Sequence, residues 1–100
     1  MFRIGFGDDE GRIVLEGRLD AAQAPHAQEF LDRVSKECVL DLADLEYISS
    51  AGLGVLLRTH KRLMGGGRSL KLTNVNRHIN DIFVYSGFDR LFEIHRGDES

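Results

Sequence analysis

Cys38-Val39-Leu40-Asp41-Leu42, the six residues Ala43 to Ile48, and then Ser49-Ser50-Ala51-Gly52-Leu53-Gly54-Val55-Leu56-Leu57 form the stretch that decides the fold. Its first five residues are apolar on both alternating sides, the pattern of a central strand covered by helices. Ala43 to Ile48 reads as a loop. Beyond it the period changes from 2 to 3.6: Leu53, Leu56, Leu57, His60 and Met64 mark one face of a helix expected over 51–64. Gly65-Gly66-Gly67 is a strong signal for its end.

Outward from this core the same two periods alternate. Phe2, Ile4 and Phe6 alternate with Arg3 and Gly5, a strand with one buried face, and Asp8-Asp9-Glu10-Gly11 supplies turn residues before a second strand over 12–17. The pair reads as a hairpin. Ala27, Phe30, Leu31 and Val34 then recur at helical spacing in a segment running to about Lys36. Asp20 is a good N-cap for it, but Pro25 would then fall beyond the first turn, so a loosened first turn ending near Pro25 is expected. Ser69 to Val75 reads as a strand, Arg77 to Tyr85 as a helix burying Ile79, Ile82 and Phe83, and Leu91 to Ile94 as a short last strand. The order β-β-α-β-α-β-α-β predicts one α/β domain over residues 1–100: a four- to five-stranded mixed, mostly parallel sheet with the first strand antiparallel at its edge and helices packed against it.

Composition narrows the function. One hundred residues support one core and are too few for two. No stretch approaches the roughly 18 apolar residues of a membrane span, and the amino terminus has no basic-then-apolar pattern, so a cytoplasmic protein without membrane insertion is expected. Cys38 is the single cysteine and is expected to be a buried core thiol. Residues 1–50 carry 5 basic and 11 acidic side chains, whereas 51–80 carry six basic and no acidic ones. Three of those six (Arg58, Lys61, Arg62) fall in the last turns of the predicted helix, where they complement its dipole. The asymmetry is therefore read as a solvated face, and direct nucleic-acid binding is not expected; aromatics are also too sparse there for a stacking platform.

The chemistry-bearing motifs are mostly absent. A nucleophile elbow needs glycine two positions before the serine, where Ser50 has Ile48 and Ser49 has Tyr47. Gly52-Leu53-Gly54 begins like a dinucleotide fingerprint, but Leu57 stands where the third glycine belongs. No histidine pair or carboxylate loop indicates a metal. No enzyme activity, cofactor or metal is expected. What remains is the junction at Ser49-Ser50, where either serine would cap the helix for about 1 kcal/mol. Gly52 and Gly54 each cost roughly 0.8 to 1 kcal/mol in a helix, so two small residues here suggest a surface that a partner backbone approaches closely.

The whole stretch Val39 to Leu57 resembles the signature of STAS domains: a buried strand ending in Asp-Leu, a short loop, then Asp/Ser-Ser-Ser/Ala-Gly-Leu opening a helix. Gly17-Arg18-Leu19-Asp20, Gly66-Gly67 and the stretch Ile82 to Ile94 agree with the same family, over about residues 2–95. The resemblance is to the branch that acts as anti-sigma-factor antagonists. It implies a non-enzymatic switch whose unmodified form binds an anti-sigma factor that is also a serine kinase, releasing the sigma factor. Phosphorylation by that kinase turns it off, and a phosphatase restores it. By position the modified serine is Ser50, with Ser49 the alternative because it stands where the best-known antagonists carry aspartate. The implied partner-binding residues are Asp20, Ser49, Ser50, Ala51, Gly52, Leu53 and Gly54, and a weak homodimer is compatible. Within the family the alternative is a STAS subunit of another assembly, such as a phospholipid-transport ATPase complex or a stressosome-like scaffold. His95 to Ser100 is short and polar where an amphipathic C-terminal helix is usual, as in a trimmed family member or a truncated chain.

Overall fold

The computed structural model describes residues 1–9 and 11–97. The elements are β1 (Phe2–Phe6), β2 (Arg12–Leu19), α1 (Ala24–Asp32), β3 (Cys38–Ile48), α2 (Ser50–Gly65), β4 (Leu70–Val75), α3 (Arg77–Ser86), a 3₁₀ turn (Phe88–Arg90) and β5 (Glu93–Arg96). They build one five-stranded sheet in the order β1-β2-β3-β4-β5, with β1 antiparallel to β2 and every other pair parallel. This is the expected mixed sheet. Glu10, in the predicted first turn, and residues 98–100 of the polar tail lie outside the described residues.

Each parallel pair is joined through one helix and the strand order advances one way, so right-handed crossovers bring α1, α2 and α3 to one face of the sheet. Ile13, Leu15, Leu40, Leu42, Leu70 and Leu72 point into that face and are fully buried. Their neighbours Arg12, Val14, Val39, Asp41, Lys71 and Thr73 share the other face and stay half-exposed. The expectation that Cys38 to Leu42 is covered on both sides is thus corrected: Val39 and Asp41 belong to an uncovered face. That face is tolerable to water because it carries charge, including the Arg12–Asp41 ion pair between β2 and β3.

The predicted loop from Ala43 to Ile48 is instead the second half of an 11-residue strand. Val14 pairs with Asp41 but Glu16 pairs with Asp44, so β3 carries one extra residue between them, and a second shift follows between Gly17 and Arg18. Asp41 fixes the first bulge, its carboxylate accepting from the Ala43 amide at 3.0 Å. Two bulges hide the period-2 pattern. Gly17 has φ 86°, and a Cβ there would stand 2.1 Å from the Met1 carbonyl oxygen, so glycine is required where β1 and β2 meet.

Other boundaries shift for local reasons. A turn at Ala21–Gln23 precedes α1, so the N-cap residue is Gln23 and not Asp20, and Pro25 sits inside the first turn, where its missing amide costs no helical bond. The helix stops at Asp32 rather than Lys36 because Arg33 and Val34 donate to the i−3 carbonyls of Phe30 and Leu31, and the Arg62 guanidinium takes the Leu31 carbonyl at 2.8 Å. In α2 the buried stripe runs through Gly52, Leu53, Leu56, His60 and Leu63, leaving Leu57 half-buried and Met64 58% exposed, against expectation. Phe92 enters the core against Phe83, Phe88 and His60, which delays the last strand from Leu91 to Glu93. Cys38 is buried, and burial pushes its thiol up to about 11, so it stays protonated at neutral pH.

Candidate functional site at the start of α2

The second half of β3 delivers Ser49 to a fixed place. Its amide donates to the Leu19 carbonyl at 2.9 Å, its carbonyl accepts from the Leu53 amide at 2.8 Å, and its Oγ accepts from the Gly52 amide at 3.2 Å. With φ −86° and ψ 172° it is an extended N-cap residue. Ser50 follows as the first residue of α2 and is exposed, its hydroxyl without a partner among the described residues. One serine is part of the fold; its neighbour is free.

The small residues divide in the same way. Gly52 is buried, and a Cβ on it would lie 2.8 Å from Ile48 Cγ1, 2.8 Å from Leu19 Cγ and 3.0 Å from the Leu19 carbonyl oxygen. The close approach that demands this glycine is therefore internal, between α2 and the ends of β2 and β3, and not the partner surface expected from the sequence. Leu53 is buried beside it. Ala51 is exposed and Gly54 half-exposed, with only the end of the Arg58 side chain near a Cβ built on Gly54. Asp20 is half-buried, its carboxylate accepting from the Gln23 amide at 3.1 Å, so it shapes the turn before α1. It also follows Leu19, the residue that pins Ser49. Of the seven residues predicted to meet a partner, Ser50, Ala51 and Gly54 present outward, while Ser49, Gly52, Leu53 and Asp20 hold the junction.

Ser50 stands on a ridge between two depressions. Toward α3 lies a groove of about 460 Å³ with Ile48, Leu53 and Ile82 in its lining, Tyr47 and Tyr85 among its walls, and Asp81. Toward α1 lies a smaller trough of about 390 Å³ lined by small residues, among them Ala21, Ala24, Ala51 and Gly54, with Arg58 at one side. Asn76 sets the far wall of the groove: its side chain caps α3 by accepting from the Ile79 amide at 2.9 Å and donates to the Leu45 carbonyl at 3.0 Å. Tyr47 is held by Arg18, whose guanidinium carbon lies 4.6 Å from the ring centroid. Reading the sequence alone missed Tyr47, His78, Asp81 and Tyr85. Tyr85 had a signal, since it is a large aromatic outside the Ile79–Phe83 stripe of α3.

Among the described residues no group of His, Cys, Asp or Glu is arranged to hold a metal ion, and no helix is long and apolar enough to cross a membrane. The family model described as "Mlab, STAS domain" matches residues 2–93. The chain belongs to the STAS domain family. It is 34% identical over 90 residues to BtrV of Bordetella bronchiseptica, named as a candidate anti-sigma factor antagonist, which covers 86% of this chain and 78% of that protein. It is 28% identical over 90 residues to the anti-sigma-B factor antagonist of Bacillus subtilis, covering 87% and 83% of the two chains. The fold is similar to the solved structure of the anti-sigma factor antagonist SpoIIAA in its unphosphorylated form, from Bacillus, with a TM-score of 0.71 at 17% identity over 94% of this chain and 87% of that one.

Proposed function

We propose that this chain is an anti-sigma-factor antagonist, a binding switch without catalysis of its own, turned off by phosphorylation of Ser50. In its unmodified form it docks on an anti-sigma factor that is also a serine kinase, which frees the sigma factor, and a phosphatase returns the modified form to use. The observation that carries the reading is the contrast between adjacent serines: Ser50 is exposed with an unpartnered hydroxyl, whereas Ser49 is half-buried and spends its oxygen on the Gly52 amide. A kinase must reach the hydroxyl it modifies. The names of the relatives in Bordetella bronchiseptica and Bacillus subtilis support the pathway.

The chemistry of the switch follows from where Ser50 sits. A phosphate there adds about −1.5 to −2 charge at a helix N-terminus, which tolerates anions, so the domain stays folded. Docking is what suffers. At the centre of an interface, new bulk and a largely unpaired charge in a dehydrated contact cost about 3 to 5 kcal/mol. That approaches the roughly 5.5 kcal/mol needed to move a population from 99:1 to 1:99.

The test combines kinase, ATP and mass spectrometry of the Ser49-Ser50 peptide with titration of the kinase in ADP. Phosphate is expected on Ser50, and Ser49→Ala should still be modified. Ser50→Ala should bind yet resist modification, and Ser50→Asp should bind poorly while melting near the wild-type temperature. Phosphate on Ser49 alone, or equal kinase affinity for wild type and Ser50→Asp, would refute the switch.

A further inference from the structure

The two edges of the sheet are not alike. β5 closes one side with Glu93, His95 and Arg96 among its four residues, a short and charged edge of the kind that discourages further pairing. β1 closes the other with Phe2-Arg3-Ile4-Gly5-Phe6, which has no proline and no bulge against β2. Its one charge is already engaged, since Arg3 pairs with Glu16 at 3.3 Å. The switch described above does not use this edge, because neither hollow beside Ser50 is lined by a residue of β1.

The hydrogen bonds to β2 fix which groups of β1 face outward. The Arg18 amide donates to the Met1 carbonyl at 2.7 Å and the Gly7 amide to the Arg12 carbonyl at 2.7 Å, so the odd-numbered residues of this stretch are the ones bonded to β2. The amides and carbonyls of Phe2, Ile4 and Phe6 then point away from the sheet, without a partner among the described residues. Their side chains lie on the helix face. Phe2 meets His26 there, and Phe6 meets Phe30 at 5.2 Å between ring centroids while staying 56% exposed.

We propose that β1 pairs antiparallel with β1 of a second copy about a two-fold axis through Ile4, joining two five-stranded sheets into one. Only the register with Ile4 opposite Ile4 overlaps all of Phe2–Phe6, and it sets Phe2 opposite Phe6 on both sides of the axis. These are the residues whose backbone groups face outward, so each facing pair exchanges both of its N–H···O=C bonds. The side chains fit the same register. Phe2 and Phe6 form aromatic cross-strand pairs that cover the exposed ring of Phe6. On the open face Arg3 lies across Gly5, where a Cβ would meet nothing within 4 Å, and each Arg3 keeps its own Glu16 beside it. Such a contact closes at two copies, and the charged β5 edges keep the joined sheet from extending. A five-residue edge buries well under the roughly 1,200 Å² of a stable interface, so the dimer is weak, with a Kd on the order of 0.1 to 1 mM.

Sedimentation equilibrium and amide hydrogen exchange of the free chain, each from about 10 μM to 1 mM, test this. Association is expected across that range, with protection of the Ile4 and Phe6 amides rising alongside it, while the Arg3 and Gly5 amides, bonded to β2, are protected at every concentration. Gly5→Lys sets a second cation opposite Arg3 and should weaken association about five- to tenfold, whereas Gly5→Glu sets a carboxylate there and should tighten it about two- to fivefold. Neither side chain meets anything in the single chain, so both variants should keep the wild-type far-UV spectrum and a melting temperature within a few degrees. Phe6→Lys, a charge at the edge itself, should leave a monomer at 1 mM. A wild-type monomer at 1 mM overturns the proposal and leaves the edge to a strand of some other protein. So does a dimer in which Ile4 and Phe6 gain no protection, or one that Gly5→Lys and Gly5→Glu shift equally, because its contact lies elsewhere.

Discussion

The first turn of α2 has an inner and an outer side, and they obey different rules although their residues are interleaved within six positions. On the inner side Ser49, Gly52 and Leu53 are fixed by three hydrogen bonds and by contacts with Leu19 and Ile48 that leave no room for a methyl group. On the outer side Ser50, Ala51 and Gly54 meet solvent or the tip of Arg58. A rigid inner side is what makes the outer side useful. Because the cap and the glycine hold the turn in place, the phosphorylation proposed for Ser50 would leave the fold undisturbed.

Substitutions on the two sides should therefore differ in what they break. Gly52→Val is expected to be the most damaging: its branched side chain meets Ile48, Leu19 and the Leu19 backbone, and overpacking of this kind costs about 1 to 3 kcal/mol or more. Urea titration should show the fall in stability. A variant as stable as wild type would mean that α2 can lift from β2 and β3, and that the inner side is not rigid.

Asp41 sharpens the comparison from a distance, since its bulge carries β3 to the turn. Partial burial by itself would raise the pKa of Asp41, but the Ala43 amide, the Asn74 side chain and Arg12 outweigh it and hold the carboxyl below its ordinary range. A group depressed in the folded state stabilises above its unfolded pKa, and that stabilisation is lost as pH falls through the folded value. Asp41→Asn should lower stability at neutral pH by roughly 1 to 2 kcal/mol, the scale of hydrogen bonds to a charged group. The gap from wild type should be full above about pH 4 and close at lower pH. A gap independent of pH would show that the ionised form contributes nothing.

The smallest difference is the most telling. Ser49→Ala removes the cap acceptor and should cost about 1 kcal/mol. Ser50→Ala removes an unpartnered hydroxyl and should stay within about 0.5 kcal/mol of wild type. Chemical denaturation of both resolves the pair, and equal losses would erase the distinction between inner and outer serine.

Periodicity determined the mixed sheet, the order of its elements and the buried positions Leu31, Leu53, Leu56, Ile79 and Phe83, because each of these follows from which side chains must leave water within one strand or helix, and Gly65-Gly66-Gly67 marked the end of α2. The junction at Ser49-Ser50 was also legible, through the resemblance of the stretch Val39 to Leu57 to the STAS signature. The second half of β3 was not, because a bulge adds one residue and breaks the alternation on which a strand is recognised. Nor could the role of Gly52 be read, since a glycine needed for internal contact and one left bare for a partner look alike until Leu19 and Ile48 are placed around it. The groove beside Ser50 belongs to tertiary structure altogether. Tyr47, Asp81 and Tyr85 come from β3 and α3, far apart in sequence, and only the crossover through α2 and β4, with Asn76 tied to the Leu45 carbonyl, sets them facing one hollow.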